Sequence, residues 1–486
     1  MWLLREKTIN NFTMSTAVPV VPDHGNLIQD EKALYRFLLA CQEKATGKGK
    51  SQIVSFSQQI NSIDPLAVLE KIIQPNLLYS YWENRRKEEA ILGYGVTKSL
   101  TLDSPDRFSQ SQQFIENCLN HTLRVGEIFN AEPYWFCSFT FFEANLSETT
   151  PFPSATIFLP QIQIIKKKQQ CILVINCSIN PKINLKLLLE QINYHSKFIK
   201  DSSEFNCLVP AKSHEKKIAE FYPSYNFKAA VSSALKSIES QQFSKLVLAH
   251  AINVISRENF PIVSSLNNLR QRYPDCYTFS VSNGKGHHFI GASPERLISI
   301  QNQQLVTDAL AGSAPRGKTA KEDAKIAQTL LRNEKERREH QAVSEFITQR
   351  LFKLGLAPHC SPLKLLKLSN IQHLWTPIYA HLKPHIHPLQ IVAQLHPTPA
   401  VAGVPTEIAC EQIRHYETFD RGLYAAPLGW IDSQGNSEFI VGIRSALIED
   451  NHARLYAGAG IVAGSDPDKE LAEIQLKFQA LMKALL

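Results

Sequence analysis

The alternation of apolar and polar positions divides this chain into short extended segments and longer helical ones. A helical pattern covers 31–43, and residues 52–56 and 134–142 have the aromatic and β-branched enrichment of strands. A strand is expected again at 172–179, then a helix over 183–194. A short polar stretch containing Pro210 follows at 209–215. Beyond it an amphipathic helix is expected over 225–241, followed at once by a strand at 245–251. Further strand patterns fall at 277–281, 288–291, 297–300, 439–446 and 453–458. Long helical patterns cover 319–353 and 469–485. Strands are grouped with helices and do not alternate strictly with them, which predicts an α/β protein of the α+β type. Its sheet should be largely antiparallel, with helices packed outside. Three sequence regions follow: a flexible lead-in over 1–30 with Pro19, Pro22 and Gly25, an N-terminal region over 31–215, and a C-terminal region over 216–486. The break near 215 divides the sequence and need not divide the structure. No repeat of fixed period is present.

Composition narrows the class. The chain has 486 residues, 44% hydrophobic and 20% charged, with a formal charge of +7, as expected of a soluble globular protein. Its modest positive charge suits a small anionic substrate. The one dense basic cluster, Lys166-Lys167-Lys168, lies between apolar runs and reads as a solvated turn or strand end. Basic and aromatic residues are not interleaved, so a nucleic-acid partner is not expected. The nine cysteines include no CxxC pair, which fits a reducing cytoplasm. No run reaches the roughly 18 apolar residues of a membrane span. The first ten residues include Arg5, Glu6 and Lys7 and lack a signal-peptide core, and Met14 is an alternative start. A monomer is the default expectation.

Candidate chemistry is concentrated after residue 240. In Gly291-Ala292-Ser293-Pro294-Glu295-Arg296-Leu297 a tight turn holds Glu295 at the mouth of a strand. That carboxyl is either a general acid with a raised pKa or the partner of Arg296. Lys245 opens an apolar strand, where it is either a desolvated base or a lysine snorkelling to solvent. Glu336 and Glu339 are three apart on one helical pattern, Glu470 and Glu473 on another. Each pair presents oxygens from one face, able to hold Mg²⁺ or simply to lie exposed. Tyr456-Ala457-Gly458-Ala459-Gly460 offers close backbone approach to a carboxylate, and Arg444 could pair with the same group. There is no GxSxG and no HExxH, and Lys44 stands where a phosphate loop ending in Gly49-Lys50-Ser51 would need glycine. His373, His396 and the group His381, His385 and His387 have no recognised metal spacing.

Taken in order, FSKLVLAH, GASPERL, DALAGSAPRG, NEKERREH, QHLW, HPTPAVAG, FDRGLYAAPLGW, VGIRSA and LYAGAGIVAGSDPDKELAEIQLK resemble the chorismate-utilising enzymes. This family includes isochorismate, salicylate, anthranilate and aminodeoxychorismate synthases. The resemblance covers about 222–486 and implies the family's fold, a large antiparallel core that the N-terminal region completes. It also implies chorismate as substrate and Mg²⁺ as cofactor, with Glu339 and Glu473 holding the ion and Glu470 close by. Gly458, Arg444, Tyr424 and Lys477 would surround the substrate carboxylates, Gly312 would offer backbone contact, and His373 would lie near the ring.

A few positions sort the family's branches. Lysine at Lys245 goes with water as nucleophile, where anthranilate synthases have glutamine. The lysine of aminodeoxychorismate synthases, in a PIKGT-like motif, is replaced here by Ala311. Ala400, in HPTPA, looks like the isochorismate-forming branch, since salicylate synthases tend to have threonine there. LAGS departs slightly from the commoner LAGT. The resemblance therefore implies water addition at C2 of chorismate, with Lys245 as base, and loss of the C4 hydroxyl, with Glu295 as acid. Salicylate formation with pyruvate release and a non-catalytic paralogue are the alternatives. The long N-terminal region is similar to that of the enzymes feeding menaquinone or phylloquinone synthesis.

Overall fold

A computed structural model of the chain describes residues 27–126, 132–143, 150–201, 218–223, 226–368 and 371–485. Met14, Pro19, Pro22 and Gly25 of the lead-in, and the polar stretch at 209–215, lie outside the described residues. Among those described, strands form one sheet of 13 and a second of ten. Every pairing is antiparallel except that of Gln52–Ile60 with Thr122–Gly126. Helices cover the sheets: Pro467–Leu485 packs on the strand His452–Val462, and Glu334–Lys353 on the strand Gln304–Pro315. The α+β architecture follows.

Both sheets run across the break near 215. In the first, Tyr277–Ser282 pairs with Tyr79–Asn84; in the second, Pro427–Asp432 pairs with Tyr134–Phe139. One apolar cluster joins them, with Phe279 and Phe289 from the first sheet and Trp135, Phe139 and Phe439 from the second. At about 25 cal/mol per Å² of apolar surface, burying aromatic residues of this size is a principal source of stability.

Two expected elements are broken, and both breaks matter for the site. The helical pattern at 319–353 is two helices, Ala320–Arg332 and Glu334–Lys353. Asn333 separates them: its backbone is extended, and its side chain accepts from Glu336 N as the cap of the second helix. The strand pattern at 439–446 is likewise two strands. Ser437–Val441 belongs to the second sheet and Ser445–Glu449 to the first. Arg444 thus lies in the crossover between sheets, not on a strand, with a left-handed φ of 51°. A parallel crossover occurs where His287–Ser293 leaves the first sheet and Arg296–Gln301 enters the second. Pro294 and Glu295 form it. The triple lysine is a strand end, Lys168 turning the chain with φ 54° between Ile162–Lys167 and Gln170–Ile179.

Candidate active site

The two crossovers lie side by side. Val441 N donates to the Glu295 carbonyl at 3.0 Å, and Ser293 Oγ donates to the Val441 carbonyl at 2.6 Å. Sheet pairing ends at a crossover, so side chains there escape the two-faced pattern of a strand and can point into the cleft between layers. Glu295 is 8% exposed. Burial pushes its carboxyl up to about 7; Lys245 works against the rise, Asp308 with it and Arg444 against it. The adjacent Arg296 does not neutralise it. Its Nη2 donates instead to Asp308 Oδ1 at 2.9 Å, which also accepts from Trp375 Nε1 at 2.8 Å.

Lys245 begins the strand Lys245–Ser256 and is 5% exposed. Its register explains how a lysine fits there. Lys245, Val247 and Ala249 face Val462, Gly460 and Gly458 on the neighbouring strand, so two glycines leave that face of the sheet open. A Cβ on Gly460 would lie 3.2 Å from Lys245 Cε, and one on Gly458 would lie 2.8 Å from the Tyr424 hydroxyl. The lysine Nζ donates to Glu339 Oε1 at 2.6 Å. On its other side the strand pairs with Gly403–Val404, the end of the HPTPAVAG segment. Gly403 is required: its φ is 147°, and a Cβ there would lie 2.2 Å from the Lys245 carbonyl. Ala400 stands half-buried on this same loop and packs against the apolar core.

The acid pairs come together from two helices. Glu336 and Glu339 stand on Glu334–Lys353, Glu470 and Glu473 on Pro467–Leu485. Burial raises Glu336, as do the charges of Glu339 on its own helix and Glu473 on the other. Burial also raises Glu470, with Glu473 adding to the rise. As the side chains stand, no three metal-ligating groups among the described residues converge on one point. Glu339 is engaged by Lys245, and Glu473 accepts from Lys477 at 2.8 Å. Hard carboxylate oxygens crowded against one another are nonetheless a donor set that suits Mg²⁺.

The remaining candidates line the same region. Lys477 Nζ donates to the Gly458 carbonyl at 2.7 Å. Tyr424 is buried, and its ring stacks on Tyr456 with centroids 5.2 Å apart. Gly312 forms a bulge opposite His373, with φ 76°, and the next N–H, that of Ser313, donates to Glu336 Oε2 at 3.2 Å. Burial, helped by Arg444 and Lys477, lowers His373 to about 3, so the ring is neutral at ordinary pH. Its buried Nε2 has no hydrogen-bond partner among the described residues. A cavity of about 300 Å³ is lined by Arg444, Glu473, Lys477 and Ser313 together with Tyr273, Ile371 and Leu476.

Sequence reasoning did not single out those three apolar walls, whose side chains meet only in the folded chain. It also missed Arg421, the buried support of the site. That guanidinium bonds Glu417, the Val401 carbonyl at 2.9 Å and the Val247 carbonyl at 2.8 Å. A glutamate four residues before an arginine within an apolar motif was the available signal.

A raised acid, a buried lysine, and carboxylates and cations gathered round one pocket define an enzyme acting on a small anionic substrate. The model of the "Chorismate binding enzyme" family matches residues 37–486. The isochorismate synthase MenF of Bacillus subtilis is 30% identical over 478 residues, covering 94% of this chain and 98% of that protein. A salicylate biosynthesis isochorismate synthase of Pseudomonas aeruginosa is 40% identical over 267 residues, 53% of this chain and 54% of that one. Among solved structures, MenF, the menaquinone-specific isochorismate synthase from Escherichia coli, matches with a TM-score of 0.75 at 25% identity. It covers 92% of this chain and 100% of that one. This chain belongs to the chorismate binding enzymes.

Proposed function

We propose that the chain is a magnesium-dependent isochorismate synthase. The observation that carries this reading is a buried lysine and a buried glutamate within electrostatic reach of one another, the glutamate carboxyl raised by burial to about 7. Exchanging a hydroxyl at C4 of chorismate for one at C2 needs a proton acceptor where water arrives and a proton donor where the hydroxyl leaves. Lys245 takes a proton from water as its oxygen bonds to C2. The ring double bonds shift, the C4–O bond breaks, and Glu295 gives its proton to the departing oxygen. One water enters and one leaves, so the net change is an isomerisation.

Arg444 and Lys477 bind substrate carboxylates, and the Gly458 segment and Tyr424 shape the space beside them. The Gly312 bulge presents backbone, and neutral His373 offers Nε2 to a ring substituent. Glu339 and Glu473 would hold Mg²⁺, with Glu470 close by. When bound, the ion offsets the charge of the substrate dianion. Alanine at 400 favours release of isochorismate over further elimination. The match to whole-length relatives supports a product destined for menaquinone or a similar quinone. No helix among the described residues is long and apolar enough to cross a membrane, and we take the enzyme to act in the cytoplasm as a monomer.

Turnover in ¹⁸O-labelled water tests the reading. Each isochorismate should carry one labelled oxygen, at C2. Product without label would remove water, and with it Lys245, from the reaction.

A further inference from the structure

A second cavity borders the HPTPA loop at His396 and Pro397 and shares no lining residue with the first. It encloses about 570 Å³, and Phe108, Phe141, Phe142 and Phe346 form its apolar wall. Arg107 is also part of the wall and is 3% exposed. Its Nη1 donates to Thr140 Oγ1 at 3.0 Å, to the Ser154 carbonyl at 3.4 Å and to the Phe142 carbonyl. Its Nε has no partner, and no carboxylate among the described residues stands within ion-pair distance. Exposed Glu143 acts on it from beyond ion-pair distance; a buried cation so weakly compensated is costly, and such groups are normally paired or used to bind an anion. At the mouth, the Arg414 guanidinium lies 4.1 Å from the centre of the Phe142 ring, and among the described residues no carboxylate forms an ion pair with it. Arg350, by contrast, is matched by Glu407 at 2.8 Å.

We propose that this cavity is a binding site for a small aromatic carboxylate. The phenylalanine faces take the ring of the ligand, and Arg414 takes its carboxylate, with the buried charge of Arg107 behind. A single negative charge fits better than a phosphate ester, because Glu143 and Glu411 stand exposed at the rim and repel a polyanion. The site adjoins the support of the catalytic strand. His396 Nε2 is hydrogen-bonded to the Phe141 carbonyl at 2.9 Å, and Arg421, which holds the Val247 carbonyl, lies 4.4 Å from the Phe141 ring centre. The inference does not depend on the reaction proposed above.

Titration calorimetry of the full chain with 2-naphthoate tests it, with 2-naphthalenemethanol as the uncharged control. The acid should bind and the alcohol should not. Arg414→Ala, on an exposed helix face, should keep the thermal midpoint and weaken binding by at least about tenfold. Arg444→Ala, in the active-site pocket, should leave naphthoate affinity within about twofold of the unmodified chain. Absence of binding, equal binding of the alcohol, or loss of binding in Arg444→Ala with none in Arg414→Ala would each overturn the assignment.

Discussion

Glu295 can donate only while protonated, and with its carboxyl at about 7 turnover should fall as pH rises through that value. Glu295→Gln should keep the fold and lower kcat by roughly 10²–10⁴; near-normal kcat would remove Glu295 as the acid. The same shift has a consequence for stability. Its folded pKa stands above its ordinary 4.5, so between these values the folded state binds more protons than the unfolded one. Stability is therefore lost as pH rises through that window. Glu295→Gln should be the more stable protein at about pH 8, by up to on the order of 3 kcal/mol, with the gap closing below about pH 4.5. Urea titrations at the two pH values check this, and a gap independent of pH would contradict it. Glu295 and Lys245 were both visible in the sequence as candidates with two readings. The structure removes the snorkelling lysine and the pairing with Arg296, and the burial that does so depends on strands far away in the chain.

At the level of elements, the site depends on interruptions more than on regular structure. Asn333 breaks one helical pattern and caps the helix that aims Glu336 and Glu339. Gly442 to Arg444 break one strand pattern and carry the chain between sheets. Periodicity read both stretches as continuous because the residues on either side keep the same pattern, and a single polar cap or a sheet change leaves little trace in it. The glycines at 403, 458 and 460 were legible as motif letters, but their purpose is a contact across strands. Gly403→Ala would force a Cβ to within 2.2 Å of the Lys245 carbonyl, where the flanking backbone cannot yield without unpairing. A loss of roughly 2–4 kcal/mol in stability is expected, with activity falling alongside. Denaturant unfolding checks it, and a change below about 0.5 kcal/mol would show that the loop does not set the lysine strand.

For the whole molecule, local pattern predicted the antiparallel class and the helices outside, but not the partners of each strand. Register across a hundred or more residues is fixed by side-chain packing on both faces, which no short window contains. The join between the regions before and after residue 215 is of this kind. Tyr277–Ser282 and Pro427–Asp432 would each lose a neighbouring strand if the first region were removed. A fragment of residues 216–486 should therefore aggregate or unfold without cooperativity. A soluble fragment with a sharp thermal transition would show that the C-terminal region folds alone.

The most direct test is chromatography of the products formed from chorismate by the purified protein, with and without Mg²⁺. Isochorismate should appear only with the metal and without pyruvate, as the roles proposed for Lys245 and Ala400 require. Salicylate with an equivalent of pyruvate would contradict the isochorismate assignment and place the chain among the enzymes that continue to elimination. Unchanged chorismate under both conditions would contradict catalysis itself.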